Sequence, residues 1–343
     1  MVSDWKYAED ILDKVSRTFA LNIRVLGKNL RKPILLAYLY MRMADTIEDD
    51  PSLPAKEKIH LLEKFSQALN LGGKYINEFV NSLPQNWKDS EKADRALCYN
   101  AAVVLPLLSE YSEPVVKAVK NGVDEMCRGM MEFVEKQEKR ADNWFTLECE
   151  ADLDRYCYFV AGLVGNMLTE LFCINGKSFN EKRQKKLREL SVSFGLALQL
   201  VNIIKDIQED SLRKVCFIPM DFCRKHGIKS VQEFFSPEFS PEKKNLVIGE
   251  LTKKAKKHLL DAKNYIKNLP RFEYRMRLFC LWPSLMAADN LRVIGDGSII
   301  FENGKKAKIT RNTVKKIIRR SMVFGWSNFW VEREFSTFPL CCV

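Results

Sequence analysis

Four aspartates are the residues best suited to chemistry in this 343-residue chain: Asp45 and Asp49 in MADTIEDD, and Asp206 and Asp210 in NIIKDIQED. Each pair has the spacing i, i+4, which on a helix sets two carboxylates on one face, one turn apart. Each follows a long apolar run, ILLAYLYMRM before the first and SFGLALQLVNII before the second. Like charges at that spacing cost a helix about 0.2–0.5 kcal/mol, and burial raises the cost. A divalent cation between the carboxylates removes it. Oxygen-only ligation suits Mg²⁺, which takes one or two protein carboxylates and completes its shell with water and phosphate oxygens. Two such pairs facing each other across a bundle would hold a metal cluster against a diphosphate. A lone DxxxD is ordinarily a solvated helix face. Here both pairs close apolar runs, and Asn202 extends the second stripe backward, so metal binding is the stronger reading.

The elements that must position these residues are helical. Apolar residues recur at helical spacing between Pro and Gly breakers, and strand signals are nearly absent. The pattern predicts helices near 4–15, 20–28, 31–49, 55–70, 74–83, 91–110, 112–139, 150–175, 180–210, 219–225, 241–269, 272–293 and 311–330. Pro51 and Pro54 stop the third just past the first acidic pair, so that pair lies at the negative end of a helix dipole. Residues 295–310 suit a loop or small hairpin. No Pro-, Gly- or Ser-rich linker and no internal repeat divides the sequence. The expectation is an all-α fold in a single domain over 1–343, with 310–343 an amphipathic helical tail packed on it.

Bulk properties narrow the function. A net charge of +11 and a pI near 9.1 point to an anionic partner. The lysines are scattered over 181–188 and 243–257 without RRM, KH or zinc-finger patterns, so no nucleic-acid partner is expected. Ten cysteines form no CxxC, and His60, His226 and His258 are the only histidines, which argues against zinc and against histidine acid–base chemistry. With no secretory signal, the cysteines read as reduced thiols of the cytoplasm. Leu340 occupies the fourth position from the end, so the prenylation box fails. The apolar stretch Tyr156 to Ile174 contains Asn166, Glu170 and two glycines, and reads as a buried core helix; no other stretch qualifies as a membrane span. Gly162 and Gly165 each cost a helix about 1 kcal/mol relative to alanine. They serve either close approach of a ligand or tight helix–helix packing.

Further segments join the acidic pairs: SRTFA from Ser16, GMMEFVEK, YCYFVAGLVG from Tyr156, and FCLWPSLMA near 279–287. With RMADTIEDD and QLVNIIKDIQED they closely resemble the squalene/phytoene synthase family, its squalene synthase branch in particular, from Ser16 to about Arg311. The resemblance implies a single all-α isoprenoid synthase bundle around a central cavity, joining two molecules of farnesyl diphosphate head to head. It implies that Asp45, Asp49, Asp206 and Asp210, with Asn202 alongside, hold Mg²⁺ against the diphosphates. Ser16, Arg17, Arg42, Lys205 and Arg213 would bind substrate. Tyr38, Tyr156, Phe19 and Phe279 would line the reactive end, with Gln199 nearby. Lys205 stands where the family usually has arginine, keeping the charge but losing the bidentate fork. RKVCFIP replaces a more typical tryptophan-bearing loop after the second motif.

The residue types fit that reaction independently. Ionising a carbon–oxygen bond needs the leaving group neutralised by metal and cationic side chains. The allylic cation left behind needs an apolar cavity whose aromatic faces stabilise positive charge, and a tyrosine such as Tyr156 could steer it or take a proton. Squalene synthases end with hydride transfer from NADPH, whereas dehydrosqualene and phytoene synthases do not. The chain has no GxGxxG. GKKAKITR at 304–311 is similar to the squalene synthase segment that contacts NADPH, with Lys308 and Arg311 the candidates; the alternative is a solvated basic loop. KKIIRRSMVFGWSNFWVEREF at 315–335 interleaves basic residues with Trp326, Phe329 and Trp330, suiting either packing on the domain or peripheral contact with an anionic membrane. Eukaryotic members usually carry a transmembrane anchor beyond such a segment. None is visible here, so a bacterial type or a trimmed form is expected, acting as a monomer.

Overall fold

The computed structural model describes residues 4–88, 91–138, 144–302 and 307–336, the side chains of Arg17 and Thr18 excepted. In chain order the helices are α1 (Asp4–Val15), α2 (Arg17–Val25), α3 (Lys28–Asp49), α4 (Ala55–Leu71), α5 (Lys74–Ser82), α6 (Gln85–Lys88), α7 (Ala93–Tyr99), α8 (Ala101–Val104) and α9 (Glu113–Glu138). Then come strand β1 (Phe145–Leu147), α10 (Glu150–Cys157), α11 (Leu163–Asn175), α12 (Glu181–Ser211) and strand β2 (Val215–Pro219). The chain continues with α13 (Met220–Lys225), α14 (Val231–Phe235), α15 (Pro241–Asn268), α16 (Tyr274–Ile294), α17 (Arg311–Phe324) and α18 (Asn328–Ser336). The all-α expectation is borne out. By internal packing the chain falls into two compact units, 1–138 with 167–177, and 139–166 with 178–343.

In the first unit α3 is the central helix. Leu30, Ile34, Leu35, Leu36, Leu39, Tyr40, Met43, Ala44 and Ile47 are all buried, so nearly its whole circumference packs, against α1, α4, α7 and α9. Tyr40 satisfies its buried hydroxyl by donating to the carbonyls of Val104 at 3.0 Å and Leu105 at 3.2 Å. At the far end Asp50 leaves the helix in an extended conformation, and the prolines that follow end the run as expected.

In the second unit α12 lies along α15 and also meets α16 and a π-helical turn at Tyr158–Gly162. The glycines explain the last contact. A Cβ on Gly165 would come 2.0 Å from the carbonyl oxygen of Ser191, and one on Gly195 would come 2.0 Å from that of Ala161. Both are backbone contacts that no rotamer can relieve, so the two helices dock reciprocally through glycines. Gly162 faces only side chains of Tyr158, Val192 and Leu196, near 3.1 Å. The glycines of YCYFVAGLVG therefore serve helix packing.

Arg277 on α16 is fully buried. Its guanidinium donates to the carbonyls of Ile266 (2.8 Å) and Leu269 (2.9 Å) at the end of α15, to Gly325 (3.2 Å) beyond α17, and to the Asn328 side chain (2.8 Å). Burial pushes its pKa down to about 10. Trp330, Val331 and Phe335 of α18 are buried in this unit.

Several elements depart from expectation. The helix predicted over 91–110 breaks at Asn100 and tightens to 3₁₀ over Leu105–Glu110, where Pro106 removes a backbone donor. The helix predicted over 311–330 breaks at residues 325–327. The parallel pair β1–β2 and the short α6 and α14 were not anticipated. Two helical stretches, Glu150–Asn175 and Glu181–Ser211, are long and apolar enough to cross a membrane, with 50% and 61% of their most apolar windows buried in the protein. The second was not anticipated, and core helices of soluble proteins meet the same test.

Candidate functional site

The first unit gathers Ser16, Phe19, Tyr38, Arg42 and Asp45 along α2 and α3. The Ser16 hydroxyl caps α2, accepting from the Phe19 amide at 3.2 Å, and Phe19 lays its ring on Tyr38 with centroids 5.1 Å apart. The Tyr38 hydroxyl is bonded to Ser16, and its pKa is raised, by burial first, with Ser16 and Arg42 pulling the other way. Arg17 opens α2; its side chain lies outside the described residues.

Tyr38, Arg42, Asp45 and Asp49 follow one stripe of α3. Arg42 makes a bidentate clamp on Asp94 of α7, 2.8 Å from Nε to Oδ1 and 3.1 Å from Nη2 to Oδ2. It reaches Asp45 only at 4.0 Å. Asp94 thus fixes the fork of the arginine that the sequence assigned to diphosphate, and this bond is the main reason its pKa is raised. Burial, and then the charge of Asp49, lift the Asp45 carboxyl to about 7, against the pull of Arg42. Lys58 of α4 donates to the Glu48 carbonyl, setting an ammonium against the negative end of α3. Neither Asp94 nor Lys58 was found by sequence reasoning; each pairing joins residues remote in sequence and leaves no local signal.

Asp50 points elsewhere. It accepts from the Ser52 amide at 2.9 Å, the Ser52 hydroxyl at 2.5 Å and Arg95 at 2.6 Å. Burial alone would raise its pKa, but these bonds outweigh it and the net shift is downward.

In the second unit the acidic end of α12 is matched cation by cation. Lys205 donates to the Asn202 side chain at 3.0 Å and sits 3.0 Å from Asp206 Oδ2. Lys308 lies 3.0 Å from Asp206 Oδ1 and 2.9 Å from Glu209 Oε1. Arg213 meets Asp210 Oδ1 at 2.7 Å. Asp206 Oδ1 is buried and faces Lys308 without hydrogen-bond alignment, so a hard cation would satisfy it better. Lys308, assigned to the nicotinamide cofactor from sequence, rests on the second acidic motif together with Glu209, which the sequence reading did not single out. Arg311 is the exposed first residue of α17. Residues 303–306 of the same segment lie outside the described residues.

Tyr156 is buried on α10, its ring stacked on Phe217 at 4.7 Å and edge-on to Phe145 at 5.8 Å. Phe145 and Phe217 stand on β1 and β2, so the unanticipated strand pair builds an aromatic wall around the predicted tyrosine. Phe279 is buried on α16, Gln199 is half-buried on α12, and Asn202 is exposed.

The donors suit Mg²⁺: hard carboxylate oxygens, one with a raised pKa and one poorly aligned with its ammonium. Among the described residues no three His, Cys, Asp or Glu side chains converge on one point.

A helical fold with an i, i+4 carboxylate pair closing an apolar helix in each unit belongs to the all-α isoprenoid synthase fold class. The chain belongs to the squalene/phytoene synthase family, whose profile matches residues 12–312. The squalene synthase of Schizosaccharomyces pombe is 30% identical over 91% of this chain and 64% of its own length. That of Saccharomyces cerevisiae is also 30% identical, over 91% and 66%. The chain spans about two thirds of the length of these relatives. Among solved structures, the TcSQS complex with the ligand E5700 superposes with a TM-score of 0.81 at 26% identity, covering 99% of this chain and 91% of that one. A dehydrosqualene synthase complex gives 0.63 at 18% identity, over 94% and 96%, and shares the fold.

Proposed function

We propose that this chain is a squalene-forming prenyltransferase, joining two farnesyl diphosphates head to head through presqualene diphosphate and then reducing the product with NADPH. One observation carries the reading. In a member of this family, both carboxylate pairs are retained at helix ends, each beside cations suited to a diphosphate: Arg42 with the first, Lys205 and Arg213 with the second.

Asp45 and Asp49, and Asp206 and Asp210 with Asn202, would hold Mg²⁺, which supplies Lewis-acid neutralisation of the departing diphosphate. Arg42, held by Asp94, offers a fixed charge that needs no reorganisation as negative charge develops. Lys205 and Arg213 exchange carboxylate partners for diphosphate oxygens. Phe19 and Tyr38, and Tyr156 with Phe145, Phe217 and Phe279, present aromatic faces to carbocations and exclude water. Gln199 orients substrate alongside. NADPH supplies hydride in the second half-reaction; Lys308, adjoining the second acidic motif, and Arg311 would contact its phosphates.

We further propose peripheral membrane contact for a cytoplasmic enzyme. Met322, Val323 and Phe324 at the end of α17, Trp326 after it and Phe329 at the start of α18 are exposed, Phe329 by 79%.

Incubation with farnesyl diphosphate and Mg²⁺, with and without NADPH, tests the reading by product analysis. Squalene formed only with NADPH is expected. Dehydrosqualene or presqualene diphosphate as the end product despite NADPH replaces the reductive step, a reading favoured by the engagement of Lys308 with Asp206 and Glu209. Unconsumed farnesyl diphosphate refutes the synthase assignment.

A further inference from the structure

The two acidic motifs differ in how closely cations approach them. At the second, Asp206 lies 3.0 Å from both Lys205 and Lys308, and Asp210 meets Arg213 at 2.7 Å. At the first, among the described residues, no cation comes nearer to Asp45 than Arg42 at 4.0 Å, which is beyond hydrogen-bond length.

That gap needs a cause, because Arg42 stands three residues before Asp45 on α3 and shares its face. The cause is Asp94. It takes the two-pronged edge of the guanidinium, Nε at 2.8 Å and Nη2 at 3.1 Å, the strongest geometry in which arginine binds a carboxylate. Nη1 is the nitrogen nearest Asp45. Asp94 is itself fixed from α7. Its neighbour Arg95 binds Asp50 at 2.6 Å, just past the end of α3. Leu97 and Cys98 are fully buried, and the Cys98 thiol lies against the Met43 carbonyl at 3.9 Å. Two adjacent charged residues of α7 thus grip α3 on either side of Asp45, Asp94 at Arg42 and Arg95 at Asp50.

We infer, on the reading of the first pair as a Mg²⁺ site, that Asp94 is a positioning residue that keeps Arg42 off Asp45, leaving that carboxylate open to a divalent cation before substrate arrives. Without Asp94, the guanidinium crosses the short gap to Asp45 and competes with the metal for the same oxygens. With Asp94 in place, the arginine is held back and remains available to diphosphate.

The test uses Mn²⁺ in place of Mg²⁺, titrated into the whole protein without diphosphate and followed by electron paramagnetic resonance. The component of binding that Asp45→Asn abolishes reports the first pair. Asp94→Asn, nearly isosteric, should weaken that component about three- to fivefold, the range of a part-exposed ion pair. Adding Arg42→Gln to Asp94→Asn should restore it to the wild-type value or better, since the competitor is gone. Asp94→Ser removes the acceptor in a second way and should behave alike, with circular dichroism and melting curves verifying the fold of each variant. An unchanged component in both Asp94 variants overturns the inference. So does a loss that Arg42→Gln fails to restore, which would make Asp94 a strut between α3 and α7 and nothing more. Mn²⁺ binding that Asp45→Asn leaves intact refutes the metal reading of the first pair itself, and the inference with it.

Discussion

Replacing Asp45 with asparagine should make the metal-free protein more stable while removing its function. The folded state holds the Asp45 carboxyl near 7 instead of the ordinary 3.8, so it binds that proton more readily than the unfolded chain does. Below about pH 4 both states are protonated and there is no cost. From pH 4 to 7 the unfolded chain ionises while the folded site resists, and stability is lost progressively; above 7 the loss is complete. Without screening, that difference would correspond to about 4 kcal/mol. The Asp45 side chain keeps 34% of its surface exposed, so screening reduces this to about 1–2 kcal/mol. Asparagine removes the charge at little change in volume. At pH 8 in EDTA the Asp45→Asn protein should therefore melt about 2–4 °C higher, with the gap closing by pH 4. Mg²⁺ with diphosphate should raise the wild-type melting temperature more than the variant's, and turnover of the variant should fall on the order of 10²-fold. A variant that melts lower at pH 8, or whose advantage persists at pH 4, refutes the reasoning.

Three other substitutions separate packing, anchoring and cofactor roles. Gly165→Ala forces a methyl onto the Ser191 carbonyl, so helix docking should be lost at a cost of about 3 kcal/mol or more, seen as a large drop in melting temperature with little soluble protein. Asp50→Asn should leave kcat within a few-fold but cost about 3 kcal/mol by breaking the pair with Arg95. Because the Asp50 pKa is lowered, that stability is present above the ordinary carboxylate range and disappears as pH falls through the folded-state value, so denaturation midpoints of variant and wild type should converge in acid. Lys308→Ala with Arg311→Ala should raise the KM for NADPH while farnesyl diphosphate is still consumed; squalene formation with unaltered NADPH dependence would assign the segment to the solvated surface.

The long helices were legible because their apolar periodicity is uninterrupted and their ends are marked. Pro51 and Pro54 stop α3, and the apolar run into Asp206 and Asp210 gives α12. Ser16, Phe19, Tyr38 and Arg42 were assigned to the site through the family resemblance; helix spacing aligns Tyr38 and Arg42 with the first acidic pair but does not bring Ser16 and Phe19, at the start of α2, to them. Partners were not legible. Arg42 and Asp94 are 52 residues apart, and Lys308 reaches Glu209 across 99; sequence supplies cations and acids but not which one each meets. The strand pair was missed because β1 has three residues, too few for an alternating pattern to register. The glycines of YCYFVAGLVG suited helix packing better than ligand approach on sequence grounds, and the opposing carbonyls of Ser191 and Ala161 account for the packing.

Arg277 ties the assembly of the second unit to residues made well after it. Two of its four bonding partners, Gly325 and Asn328, are synthesised about fifty residues after it, whereas Ile266 and Leu269 precede it. Until the later pair arrives, the guanidinium sits at the end of α15 with half its shell missing, and enclosing an under-bonded cation is unfavourable. The α15–α16 corner should therefore close only when α17 and α18 do, making this part of the second unit a structure that is completed late and all at once. A chain cut between 294 and 325 would lose more than the area of α17 and α18, because the corner they seal would reopen to water.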